Sequence, residues 1–176
     1  MTIHHEHPFA DPDPERDPVR RLRGRLGGTV TVLTAGAGGA RAGLTVSSLV
    51  VAHGDPGHVL ALVDPESELA GRVVETGAFV VGLLEWRHLR LAEAFAGTAP
   101  APGGVFTVGS WADSSWGPVL QDASAWAGAR LVGTPRVVGW SLLLDGILER
   151  IELGEPGEPG EPLVHRRGRY LRPSAG

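Results

Sequence analysis

The sequence predicts a mostly β domain built as an antiparallel barrel, with two short helices inserted between its strands. Three observations carry that expectation. About seven segments are rich in β-branched and aliphatic residues at strand-like spacing. Neighbouring segments are joined by turns that make hairpins, not by the long helical crossovers that a parallel sheet needs. The 26 Gly and 14 Pro among 176 residues are spread through apolar segments, which suits a turn-rich β protein better than a disordered one.

Each element follows from its own residues. Residues 1–24 read as a flexible arm, followed by one domain over 25–172 and a tail over 173–176, with order beginning near Leu26. Across the end of the arm and the first residue of the domain, Arg20, Arg21, Arg23 and Arg25 form a basic run that reads as a solvated face. Thr29 to Thr34 alternates hydroxyl and aliphatic side chains, the pattern of a half-buried strand. A glycine-rich turn over 35–40 leads into a second strand, Leu44 to Ala52, and the two read as a hairpin. His58 to Val63 is a third strand.

Asp64 as N-cap, Pro65 at the first helical position, and Glu66 and Glu68 in the first turn then predict a helix that ends at Gly77. Ala78 to Leu84 is a buried strand, and Leu89 to Ala96 has helical spacing. A long loop over 97–118 carries at most a short strand near 105–108; loops of that length are usually functional or lie against a partner. Strands at 125–132 and 137–153 flank a turn at 133–135. The repeat over 155–162 is a solvated spacer, and Leu163 to Tyr170 is the last strand.

Composition removes several function classes. With 16 Arg and no Lys, neither a Schiff-base lysine nor a P-loop is available. No Cys means no disulfide, thiolate metal site or thiol nucleophile. A net charge of −4 argues against nucleic-acid binding, and no apolar run is long enough to span a bilayer. The polar start, with His4, His5 and His7, lacks the form of a secretory signal, so the expectation is a cytoplasmic protein. Those histidines have no companion cluster, so no metal site is expected. His53, His58 and His88 stand apart from one another and read as structural. Trp86, Trp111, Trp116 and Trp126 read as packing residues that could also wall a pocket or meet a partner.

Five segments in order, Gly28 to Val32, Gly43 to Leu49, Gly77 to Val81, Leu91 to Gly97 and His165 to Tyr170, resemble the flavin reductase-like family. The most specific of them is Thr45-Val46-Ser47-Ser48. The resemblance implies a six-stranded antiparallel split barrel with two or three short helices, which forms a homodimer and holds FMN, or FAD, near the dimer interface. It also implies hydride transfer from NADH or NADPH and delivery of reduced flavin to a partner monooxygenase. On strand geometry, Thr45 and Ser47 share one face while Leu44 and Val46 pack inward.

The cofactor site implied by the resemblance comprises Thr45, Val46, Ser47, Ser48, Ser67, Gly82 and Arg169; no catalytic residue is assigned. Three departures from the family pattern bear on it. Asp64, Glu66 and Glu68 surround Ser67 where the flavin phosphate is expected, with Arg41, Arg167 or Arg169 as possible compensation. Gly82 replaces an Asn, and Trp140-Ser141 stands where Asp-His is common. Two alternatives therefore stay open: a split barrel that binds flavin or another flat heterocycle without turnover, and a dimeric interaction module.

Overall fold

The computed structural model describes residues 17–154 and 160–173. The expectations for residues 1–16, including His4, His5 and His7, for 155–159 of the spacer and for the tail residues 174–176 lie outside the described residues.

Order begins earlier than Leu26. Helix α1 spans Pro18–Leu26, with Asp17 Oδ1 accepting from the amides of Val19 (2.9 Å) and Arg20 (3.1 Å). Asp-Pro is a helix start, because the cap satisfies free amides and proline suits the first helical position. After α1 come β1 (Gly28–Thr29), β2 (Thr31–Ala35), β3 (Ala42–Val46), β4 (Leu49–Ala52) and β5 (His58–Val63). Next are α2 (Glu68–Thr76), β6 (Ala78–Leu83), α3 (Leu89–Phe95) and the short pair β7 (Trp111–Ala112) and β8 (Val119–Leu120). The chain then forms β9 (Ala125–Leu131), β10 (Arg136–Val138), β11 (Ser141–Leu153), β12 (Val164–Arg166) and β13 (Arg169–Leu171).

The main sheet has the order β3-β2-β6-β9-β11-β5-β4, antiparallel throughout, with β10 paired to β11. Its two outermost strands, β3 and β4, are separated in sequence by Ser47 and Ser48 alone. Laid flat, seven strands would put those edges about 29 Å apart, whereas the three Cα steps from Val46 to Leu49 reach only about 11 Å. The sheet must therefore curl until its edges meet. Counted this way, β3 and β4 are halves of one strand bent at Ser47-Ser48, and the barrel has the six expected walls.

Two cores follow from the alternation of side chains across the curled sheet. Leu33, Val46, Val59, Ala61, Phe79, Val81, Ala129 and Leu144 fill the inside, joined by Leu69 and Val73 of α2. Outside, Val30, Val32 and Leu84 pack under Leu91, Ala92 and Phe95 of α3 and Leu120 of β8. This second layer buries β2 on both faces, correcting the half-buried expectation. The buried hydroxyls on β2 are bonded, as buried polar groups must be: Thr31 Oγ1 donates to the Val46 carbonyl at 2.7 Å and Thr34 Oγ1 to that of Pro118. The long loop contributes to this layer, since Phe106 packs edge-on against Phe95 and Trp111 lies tilted against it, at centroid distances of 5.1 and 5.4 Å.

Several boundaries differ from expectation for local reasons. Asp64 caps a turn, with its carboxylate accepting from the Glu66 amide at 2.9 Å, and Ser67 is the true N-cap of α2. Residues 105–107 form a 3-10 turn instead of a strand. The segment 137–153 breaks at Gly139-Trp140, a hairpin tip, so Trp140 lies outside the strand. The expected last strand is a hairpin, β12–β13, turning at Arg167-Gly168, where both residues have positive φ (51° and 75°). With β1 it makes a separate three-stranded sheet.

Candidate functional site

The bend that closes the barrel also gathers the candidate residues. Leu49 pairs with Ala61, and the Leu62 amide donates to the Ser48 carbonyl at 2.9 Å, so Ser47 and Ser48 lie beside the end of β5. The chain leaving β5 runs at once through Asp64 and Glu66 to Ser67 and α2. On the other side, β1 approaches so closely that a Cβ on Gly28 would stand 2.6 Å from the Ser47 carbonyl oxygen. Gly28 pairs with His165 of β12, which brings the β12–β13 hairpin to the same corner.

Within this corner the hydroxyls differ in availability. Thr45 Oγ1 donates to the Ala92 carbonyl of α3 at 2.7 Å, which aims it at the outer layer. Ser67 Oγ donates to the Asp64 carbonyl at 2.7 Å and accepts from the Ala70 amide at 3.2 Å. Ser47 and Ser48 are half-buried and, among the described residues, their hydroxyls have no hydrogen-bond partner. Half-buried hydroxyls without partners are what a polar ligand edge would engage.

The other expected residues are spread more widely. Val46 points into the inner core at 4% exposure, so only its main chain faces the bend. Thr45 and Gly82 both pair with Val32, and Gly82 pairs onward with Trp126, so these four residues form one row across β3, β2, β6 and β9. Gly82 is buried in that row, where a Cβ would come within 3.3 Å of Val32 Cγ1. Arg169 is exposed on β13 and shares a cleft with Arg166, Arg167 and Leu171. Arg41 is otherwise engaged, its guanidinium lying 4.8 Å from the centre of the Phe106 ring.

The electrostatics of the corner are divided. Asp64, Glu66 and Glu68 crowd the start of α2, while Arg166, Arg167 and Arg169 project from the hairpin beside His165. Burial, and then the nearby charge of Arg23, hold the His165 imidazole below its ordinary pKa. Burial raises the Tyr170 hydroxyl, with the Glu93 carboxylate adding to the effect. Of the three isolated histidines, His88 and His58 are tied into the fold, while His53 is exposed. His88 Nδ1 accepts from the Glu85 amide at 3.0 Å while its Nε2 lies 3.2 Å from Asp122, and His58 pairs with Asp145 at 2.7 Å.

Two features were missed by sequence reasoning. The closeness of Gly28 to Ser47 has no sequence signal beyond an unexplained glycine before a strand. The pairing of Arg166 with Arg169 across a tight turn could have been read from Arg-Gly, a two-residue turn placed between β-rich halves.

Residues 23–174 match the flavin reductase like domain, which is nearly the whole of the described chain. The chain belongs to that family. A curated relative, the FMN reductase (NADH) RutF of Ancylobacter novellus, is 32% identical over 123 residues, covering 69% of this chain and 67% of that protein. Among solved structures, the NADH:FAD oxidoreductase SgcE6 of Streptomyces globisporus C-1027 superposes with a TM-score of 0.78 at 24% identity, over 94% of this chain and 98% of that one. The styrene monooxygenase flavin reductase of Pseudomonas putida S12 gives 0.76 at 20% identity, over 91% and 99%. These structures share the flavin reductase fold seen here, which confirms the mostly β barrel expected from the sequence.

Proposed function

We propose that this chain is a flavin reductase that uses NADH or NADPH to reduce FMN, with FAD as the alternative flavin, and supplies the reduced flavin to a monooxygenase. The observation that carries the reading is the pair of unpartnered hydroxyls, Ser47 and Ser48, at the barrel bend of a chain that belongs to the flavin reductase like family. The flavin supplies the redox chemistry, taking a hydride from the nicotinamide C4 and a proton from solvent. The protein's task is to hold and orient, so the absence of Cys and Lys is no obstacle.

In this reading Ser47 and Ser48 engage the polar edge of the flavin, with the main chain of Val46 beside them. Thr45 and Gly82 shape the layer behind. The first amides of α2 face a phosphate, since a helix start carries free N–H groups and partial positive charge. Ser67 acts there as the cap that orders those amides, and Arg169 offsets the surrounding carboxylates. Glu68→Thr removes one repulsive charge and should tighten FMN binding by about 0.3–1 kcal/mol. Riboflavin, which has no phosphate, should be unaffected. Titrating both ligands into both proteins checks this, and equal effects would place the phosphate away from α2.

The protein is also proposed to be a cytoplasmic homodimer. Val50 and Val51 of β4, Leu62 of β5, Val137 and Val138 of β10 and Trp140 at the hairpin tip are exposed. The register across β4, β5, β11 and β10 puts Val50, Leu62 and Val138 on the same outer face of neighbouring strands, while Val51 and Val137 point to the opposite face. An apolar surface of this kind marks an interface, and Trp140 at 70% exposure is its most prominent group. Light scattering at micromolar concentration should give twice the 18.4 kDa chain mass; a monomer would remove the second wall of the flavin site.

One observation favours binding without turnover: Trp140-Ser141 stands where Asp-His is common in the family, and Trp140 is an exposed indole at the hairpin tip, a group that can stack on a ring but does no proton chemistry. NADH consumption on addition of FMN separates the two readings, since only a reductase turns over.

A further inference from the structure

Helix α1 is mounted back to front. An amphipathic helix ordinarily turns its apolar stripe to the core. Here Val19, Leu22 and Leu26, spaced i, i+3 and i+7 and therefore on one face, are 73%, 62% and 77% exposed, and no residue of α1 is buried. The helix is held instead by its opposite, glycine side. The Arg167 amide donates to the Gly24 carbonyl at 2.8 Å, and Arg166 Nε donates to that of Arg25 at 3.3 Å. A Cβ on Gly24 would stand 3.7 Å from Arg167 Cα, so the helix lies directly on the β12–β13 turn.

The side chains around the stripe are cationic. Arg23 and Arg25 flank it on the helix, while Arg166, Arg167 and Arg169 line a cleft of about 680 Å³ beside it, with Leu171 as an apolar wall. With Arg21 these are six of the 16 arginines, on a chain with 20 carboxylates, so the remaining surface carries a large excess of negative charge. After burial, the charge of Arg23 is what holds the His165 imidazole down, so helix and hairpin share one field. Other arginines are neutralised locally: Arg72 by Glu75, Arg87 by Glu85, Arg130 by Glu149 and Arg172 by Glu161. Among the described residues, none of the six has a carboxylate partner.

An apolar centre ringed by unpaired guanidinium groups has the makeup of a protein interface, with anchoring side chains inside and steering charges at the rim. We propose that α1 and the β12–β13 hairpin form a docking surface for an acidic protein segment that carries apolar anchor residues. Its carboxylates meet the arginines, and its anchors cover Val19, Leu22 and Leu26. The recess beside the helix suits a chain segment, whereas a flat lipid surface would reach the helix and not the cleft. In the reductase reading above, on which this role rests, the segment belongs to the monooxygenase. Gly28 lies against the Ser47 carbonyl and pairs with His165, so a partner seated here borders the bend from which reduced flavin must leave.

The test titrates a fluorescein-labelled, glutamate-rich peptide with leucine anchors into the full chain and follows its anisotropy. The peptide is expected to bind, its lysine-for-glutamate counterpart is not, and added salt should weaken the complex. Arg23→Glu/Arg25→Glu should weaken it about tenfold or more, and Leu22→Ser severalfold, because charge and stripe both contribute. Arg150→Glu, a reversal at an exposed arginine outside the patch, should have no effect. FMN affinity and NADH-driven FMN reduction should stay within about twofold in the α1 variants, which alter no cofactor position. Unchanged peptide affinity in Arg23→Glu/Arg25→Glu would overturn the assignment. So would displacement of the peptide by FMN, which would give the arginines to the cofactor phosphate. Tighter binding to phosphatidylglycerol vesicles than to the peptide would overturn it in favour of a membrane. A chain that reduces no flavin but binds the peptide in this pattern would end the reductase reading and leave the docking surface; flavin reduction without peptide binding would do the reverse.

Discussion

Phe79→Ala is expected to cost about 3–5 kcal/mol of folding stability, the largest loss from any single truncation in this chain. Phe79 is fully buried at the centre of the inner core, on a strand flanked by two others. It packs so tightly on β11 that a Cβ at Gly146 would come within 2.7 Å of its ring. Removing the ring leaves a cavity whose walls are barrel strands, and the closed sheet resists the collapse that would refill it. Urea denaturation monitored by circular dichroism should show a lower midpoint at nearly unchanged slope. A loss below about 1 kcal/mol would mean that the barrel interior is more plastic than a close-packed core.

The second large effect is on binding. Ser47→Phe should weaken FMN by about a hundredfold or more, roughly 3 kcal/mol, with little change in stability. The substituted side chain would occupy the corner where the bend, the end of β5 and β1 converge, and it would replace one of the two free hydroxyls. Ser47 itself is half-buried and bonded to nothing through its side chain, so the core loses nothing by the change. Ser47→Ala removes only a hydrogen bond and should cost about 0.5–1.5 kcal/mol of FMN affinity. Fluorescence titration of FMN against both variants measures the pair. Wild-type affinity in Ser47→Phe would move the flavin away from the bend.

The barrel was legible because its strands carry period-two patterns and Gly or Pro at nearly every turn. The same local signals also explain the errors. Thr29 to Thr34 alternates hydroxyl and aliphatic side chains, which reads as half-buried, yet α3 and the β7–β8 hairpin cover its outer face. That burial comes from segments some 60 to 90 residues away, beyond the reach of a local pattern. Asp64-Pro65 reads as a helix start, but Asp64 and Ser67 compete to cap, and Ser67 wins by bonding the Ala70 amide. Asp17-Pro18 carries the same signal, obscured by the charged, apolar-poor run that follows it.

The candidate site was only partly legible. Thr45-Val46-Ser47-Ser48 is the segment at which the barrel closes, but the sequence reads as one strand with alternating faces. The sheet turns there from one edge to the other, which leaves Thr45 bonded to α3 and Ser47 and Ser48 free. Trp116 and Trp126 were recognised as residues that could wall a pocket. Their juxtaposition depends on Gly128, a position that looks from sequence like a flaw in a strand.

The central claim, that this chain passes electrons from a nicotinamide cofactor to flavin, is tested most directly by anaerobic single-turnover mixing. Purified protein with bound FMN is mixed with NADH, and in a second series with NADPH, while the visible absorbance of oxidised flavin is followed. The account predicts that the absorbance is lost much faster than for free FMN and the same cofactor, with Ser47→Phe reduced to the uncatalysed rate. Stable FMN binding with bleaching no faster than in the absence of protein would contradict it, and would leave a barrel that holds flavin without reducing it.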